Sequence, residues 1–145
     1  MSFIYENPNI KELQLSADTE TLDEVTLPAD FFKSNLFKQL NKGTFELKSF
    51  IQDEDFLESR ASFLSLNCDT ITNSAIKKKL ENWYDGANGD FRIGFVTPRL
   101  IDDLSSNFPF DQGNNNMVRI RRPDGKAGAA YLSNQCASFR ASSYL

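Results

Sequence analysis

Apolar positions along this chain repeat with two different periods. Near both ends they alternate with polar residues, and through the middle they recur every three to four residues. In residues 11–17, KELQLSA, Leu13 and Leu15 share one side while Glu12 and Gln14 share the other, which predicts a half-buried strand. A shorter strand is expected over residues 2–6, ended by the turn at Asn7-Pro8. The acidic stretch around residues 18–25 reads as a loop, with a short extended piece at Val25.

Residues 27–43 predict a single helix. Pro28 suits its first turn, Asp30 complements the amino-terminal dipole, and Phe32, Leu36, Phe37 and Leu40 form the buried stripe, with Lys42-Gly43 as the stop. Residues 44–52 return to alternation, with Phe45, Leu47 and Ser49 set against Glu46 and Lys48, and predict a strand. Three acids open residues 53–67, and the spacing of Phe56, Leu57, Arg60, Phe63 and Leu64 predicts a second helix. A third is expected over residues 72–86, capped by Asn73 or Ser74, striped by Ile76, Leu80 and Trp83, and followed by Gly86.

After the turn DGANGD, residues 91–97 predict a strand and Pro98 opens a short helix. Residues 107–116 read as an irregular loop. The segments MVRIRR and AAYLSN flank PDGKAG, whose Pro-Asp-Gly order is turn chemistry, so a hairpin is expected. In the last ten residues Ala137, Phe139 and Ala141 alternate with Ser138, Arg140 and Ser142, predicting a terminal strand. The expected fold is therefore α+β: one domain over residues 1–145, with an antiparallel or mixed sheet, three to four helices, a C-terminal β-hairpin and a terminal strand. Helices and strands do not alternate regularly enough to predict a doubly wound fold.

Composition sharpens this picture. The 145 residues include 13 Phe scattered from Phe3 to Phe139, which reads as core anchors in most elements instead of one aromatic box. No apolar run is long enough to predict a membrane span, and the first residues lack the pattern of a secretory signal, so a cytoplasmic protein, or one that joins a virion after assembly in a host cytoplasm, is expected. Cys68 and Cys136 have no metal-binding spacing and read as two thiols. Histidine is absent, which removes the commonest general base, the commonest zinc ligand and every Ser-His or Cys-His nucleophile pair.

The candidate chemical motifs each have a simpler structural reading. Asp53-Glu54-Asp55 and Asp102-Asp103 read as acids at helix starts, because adjacent side chains diverge. DGANGD fails the calcium-loop pattern, since its twelfth position is Val96. No phosphate-binding glycine motif occurs. Lys77-Lys78-Lys79 reads as a solvated helix face. No catalytic, metal-binding or cofactor-binding residue is predicted.

Charge gives the remaining signal. Residues 1–72 hold six Lys/Arg and 13 Asp/Glu, whereas residues 73–145 hold ten and seven. Arg119, Arg121, Arg122 and Lys126 cluster on the predicted hairpin, and Phe108 and Phe110 adjoin it. These six residues are the expected partner-binding set. The leading expectation is a non-enzymatic assembly subunit that contacts copies of itself or other proteins, as a capsid, neck or tail component of a bacteriophage or viral particle would. Two rival expectations are a nucleic-acid-associated protein using the same basic hairpin and a His-free enzyme built on carboxylates. The acidic overall balance, with a net charge of −4, disfavours nucleic acid.

Overall fold

The computed structural model describes residues 10–16, 26–87, 89–99, 110–112 and 117–142. Its elements are β1 (Glu12–Leu15), β2 (Thr26–Leu27), α1 (Ala29–Phe32), α2 (Asn35–Gln39), β3 (Lys42–Ser49), α3 (Asp53–Glu58), β4 (Phe63–Asn67) and α4 (Asn73–Tyr84), followed by β5 (Asp90–Gly94), β6 (Phe110–Gln112), β7 (Met117–Arg121), β8 (Ala127–Leu132) and β9 (Cys136–Ser142). Among the described residues the strands form one mixed sheet in the order β1-β3-β4-β5-β9-β8-β7-β6, with β2 also pairing β3. The expected α+β domain with a mixed sheet, a hairpin and a terminal strand is the observed one.

The sheet has two halves. β1, β2, β3, β4 and β5 run parallel, and helices carry the chain between neighbouring strands. From β5 onward every pairing is antiparallel. The four helices among the described residues pack on one side: rings of α1 and α2 meet Phe45 of β3, Phe56 of α3 meets Phe91 of β5, and Trp83 of α4 meets Phe139 of β9. One-sided coverage follows when successive parallel crossovers share one direction and one hand.

The predicted helix over residues 27–43 is two short ones. Ser34 is extended, with ψ 156°, and its hydroxyl accepts from the Phe37 amide at 3.3 Å while donating to the Phe31 carbonyl. This local bonding lets Ser34 interrupt one helix and cap the next. The break keeps Phe32, Leu36, Phe37 and Leu40 all buried. Lys42 and Gly43 do not end a helix but open β3.

A second correction concerns residues 53–67. Only Asp53–Glu58 is helical; Ser59 turns extended at ψ 132°, and Phe63–Asn67 is β4. Leu64 and Leu66 are buried while Phe63, Ser65 and Asn67 are half-buried, so the period is two. Pairing with β3 on one side and β5 on the other decides that segment. Within the supposedly irregular residues 107–116, Phe110–Gln112 pairs with β7. The strand expected over residues 2–6, the helix from Pro98 beyond residue 99, and Phe108 lie outside the described residues.

Thr72, and neither Asn73 nor Ser74, caps α4 by accepting from the Ala75 amide at 3.2 Å. Phe31, Phe32, Phe37 and Phe45 form one ring cluster with centroids 5.0–6.1 Å apart. Phe56, Phe91, Phe95 and Phe139 are buried as well, so the reading of phenylalanine as core anchor holds for most of the described rings.

Candidate functional site

The sheet surface opposite the helices carries the predicted basic hairpin and more. Strand register places Arg119, Ala129 and Arg140 in one row and Arg121, Ala127 and Ser142 in the next. Ala129 thus lies between Arg119 and Arg140, and Ala127 between Arg121 and Ser142, with strands about 4.8 Å apart. Arg92 lies in the row of Ser138, Tyr131 and Met117, and Lys42 and Lys48 extend the positive charge across β3. Among the side chains described on this face, these six cations stand against Glu12, Glu46 and Asp90. Among the described residues no helix covers the face.

Apolar exposure coincides with this charge. The exposed large hydrophobic side chains among the described residues are Phe50, Val96 and Tyr131. Tyr131 stands on the face itself, in register with Met117 and Ser138. Val96 lines a cleft of about 420 Å³ with Lys48, Asn67, Arg92 and Cys136 at the carboxyl ends of the parallel strands. The Lys48 ammonium sits 5.6 Å from the centre of the Phe50 ring.

The predicted partner-binding residues separate in space. Arg119, Arg121 and Lys126 are exposed. Arg122 is buried at 5% exposure. Its guanidinium lies 4.6 Å from the Trp83 ring, donates to the Trp83 and Ala87 carbonyls at 3.0 and 3.2 Å, and pairs with Asp124 at 3.0 Å. It ties the hairpin turn to the end of α4, and its donors are engaged inside the fold. Phe110 occupies β6 opposite Ile120.

The turn explains how Arg122 is aimed. The Gly125 amide donates to the Arg122 carbonyl at 3.0 Å, Gly125 takes φ +93°, and Asp124 accepts from the Lys126 amide at 3.0 Å. Pro123 at the second turn position and a left-handed glycine at the fourth are what this geometry requires. The Lys126 amide, and then the Arg122 side chain, hold Asp124 below the ordinary carboxylate range.

The acidic triplet at the start of α3 is engaged with other parts of the fold. Asp53 accepts from the Thr72 amide and hydroxyl at 2.8 and 2.7 Å. Lys33 pairs with Glu54 at 2.8 Å and Asp55 at 2.9 Å, which raises the lysine above and lowers Glu54 below its ordinary value. The lysine run also divides. Lys78 is exposed, but Lys79 reaches inward and donates to the Phe56 and Ser59 carbonyls at the end of α3, at 3.0 and 3.1 Å. Burial pushes Lys79 down to about 8. Its place in the run gave no hint of this, because three consecutive helical lysines look alike until neighbouring elements pack against one of them.

Among the described residues no group of three or more His, Cys, Asp or Glu is placed to hold a metal ion, and no helix is long and apolar enough to cross a membrane. Burial pushes the Cys68 thiol up to about 11. Comparison with protein-family models, curated proteins and solved structures finds no match to this chain.

Proposed function

We propose that this chain is a non-enzymatic assembly subunit whose open sheet face packs against the acidic surface of a protein, a second copy of the chain first of all. The observation carrying this reading is that each exposed apolar side chain stands beside a cation: Phe50 beside Lys48, Val96 in the cleft with Lys48 and Arg92, and Tyr131 in the row of Arg92. Parallel sheets are ordinarily covered on both faces, and here, among the described residues, the parallel half has helices on one side only. Exposed ion pairs contribute only about 0–1 kcal/mol each, so the apolar side chains supply the affinity and the arginines the orientation.

The acidic complement lies on the same chain. Residues 1–72 hold 13 Asp/Glu against six Lys/Arg, so the complementary charge resides in the first half of the chain. A contact between the sheet face of one copy and an acidic surface of another joins unlike surfaces, which builds rings or open arrays. Nucleic acid is the weaker reading, because among the described residues Tyr131 is the single exposed aromatic placed by register among the arginines and the chain is acidic overall.

Sedimentation of the purified chain at low and high salt tests the proposal. Self-association is expected at low salt and is lost in the double variant Arg119→Glu/Arg121→Glu, whose monomer stays folded. Monomers at all salt concentrations, or assembly unchanged in the double variant, would overturn it. So would steeply salt-dependent binding to a DNA or RNA oligonucleotide without self-association.

A further inference from the structure

On the helical side of the molecule, away from the sheet face, a cleft of about 860 Å³ opens where α2, α3 and α4 converge. That volume falls in the range of roughly 300–1,000 Å³ that small-molecule sites occupy. Its apolar lining is the half-buried Leu57 with Phe32, Phe37 and Trp83, each at most 4% exposed, and its cations are Lys38, Arg60 and Lys79. The carboxylates lining it are Asp55 and Glu58, of which Asp55 is already paired with Lys33 at 2.9 Å. The local balance is therefore positive in a protein that is negative overall.

Lys79 is the unusual member. Two of its three donors are engaged by the Phe56 and Ser59 carbonyls, and its ammonium lies 5.1 Å from the centre of the Phe56 ring. Capping the end of α3 accounts for those two contacts. The third donor has no partner among the described residues, in a cleft with an apolar lining. A desolvated cation held rigidly by two carbonyls is organised in advance to receive an anion.

We propose that this cleft binds a small amphipathic anion, an aromatic or aliphatic body bearing a carboxylate or sulfonate group, with Lys79 as counter-charge and Leu57, with the edges of Phe37 and Trp83, as the seat for the body. The site is independent of the sheet face. Burial keeps Lys79 protonated only below about pH 8 in the empty cleft, so affinity is highest below that value and declines above it. The charged groups around it are Lys38 from α2, Lys33 from the α1–α2 link, Asp55 and Glu58 from α3, and Arg60 beyond α3. Lys77, Lys78 and Glu81 share its helix.

Trp83 is the chain's one tryptophan and lines the cleft, so it serves as an internal probe. The test is titration of the full chain with the aromatic sulfonate 8-anilinonaphthalene-1-sulfonate, read by energy transfer from Trp83. Saturable binding of one dye per chain is expected, weakened about tenfold in Lys79→Met and severalfold in Arg60→Gln. Affinity of the unmodified protein falls as pH is raised through about 8 and beyond, and this dependence is absent in Lys79→Met. Near-ultraviolet circular dichroism verifies that each variant is folded. If Lys79→Met fails to fold, Arg60→Gln and the pH series on the unmodified chain decide the matter. Binding that is absent, unsaturable, without transfer from Trp83, or insensitive to both pH and Arg60→Gln would overturn the proposal.

Discussion

The two halves of the sheet solve the same packing problem with opposite materials. The parallel half fills its interior with large rings: Phe31, Phe32, Phe37 and Phe45 touch one another, and each is at most 3% exposed. The antiparallel half places Ala127, Gly128, Ala129 and Ala130 along β8. Its bulk comes from Ile120, Leu132 and Phe139 and from Trp83, which belongs to α4 of the other half. A half that brings its own helices can use large side chains. In the meander, β8 takes small ones, so that the Phe139 ring can lie close to the backbone at Gly128.

This contrast predicts where each half breaks. Phe45→Ala should have the largest effect, a loss of about 3–5 kcal/mol, because it opens a cavity inside a ring cluster that cannot fully collapse. Urea unfolding of the variant measures it. A loss below 1 kcal/mol would show that the aromatic cluster is not the anchor of the parallel half.

Arg122 comes next, since it joins the halves. Arg122→Met removes the charged donors from the Trp83 and Ala87 carbonyls and the cation from the indole face, and should cost about 2–3 kcal/mol. Urea unfolding read by Trp83 fluorescence and by circular dichroism sharpens the comparison. Coincident transitions mean that the halves still unfold together, and separated ones mean that Arg122 held them in one cooperative unit.

The smallest effect is expected from adding a single methyl group. A Cβ at Gly128 would come within 2.5 Å of Phe139 Cζ and 3.0 Å of the Arg140 carbonyl. Gly128→Ala should therefore cost about 1–2 kcal/mol through overpacking. Combining it with Phe139→Leu in a double-mutant cycle should reveal favourable coupling, because the smaller side chain vacates the contested space. Purely additive costs would mean that Phe139 moves aside freely.

Sequence reading went furthest where a pattern was local and unbroken. β1, β3, α4, the hairpin and β9 were legible because alternation, helical spacing or turn chemistry ran uninterrupted through each. It failed at Ser34 and at residues 59–67. In the first case a hydroxyl competed with the helix for backbone groups. In the second, Phe56, Leu57, Phe63 and Leu64 suited helical spacing, and only pairing with β3 and β5 selected the strand. Merging that helix and strand also hid the parallel crossovers.

Of the candidate face, the charge of Arg119 and Arg121 and their outward side were readable from the alternation of β7, because a strand's side chains must point to opposite faces. The joining of Arg92, Arg140, Lys42 and Lys48 to the same surface was not, since those residues come from strands distant in sequence. Composition and local period are properties of the chain itself, so the sequence alone determined the class of fold, the aromatic core and a hairpin with one basic side. Tertiary structure decided which cations stay free. Packing buried Arg122 against Trp83 and drew Lys79 into the end of α3, because buried carbonyls need donors and the nearest long cationic side chains could supply them.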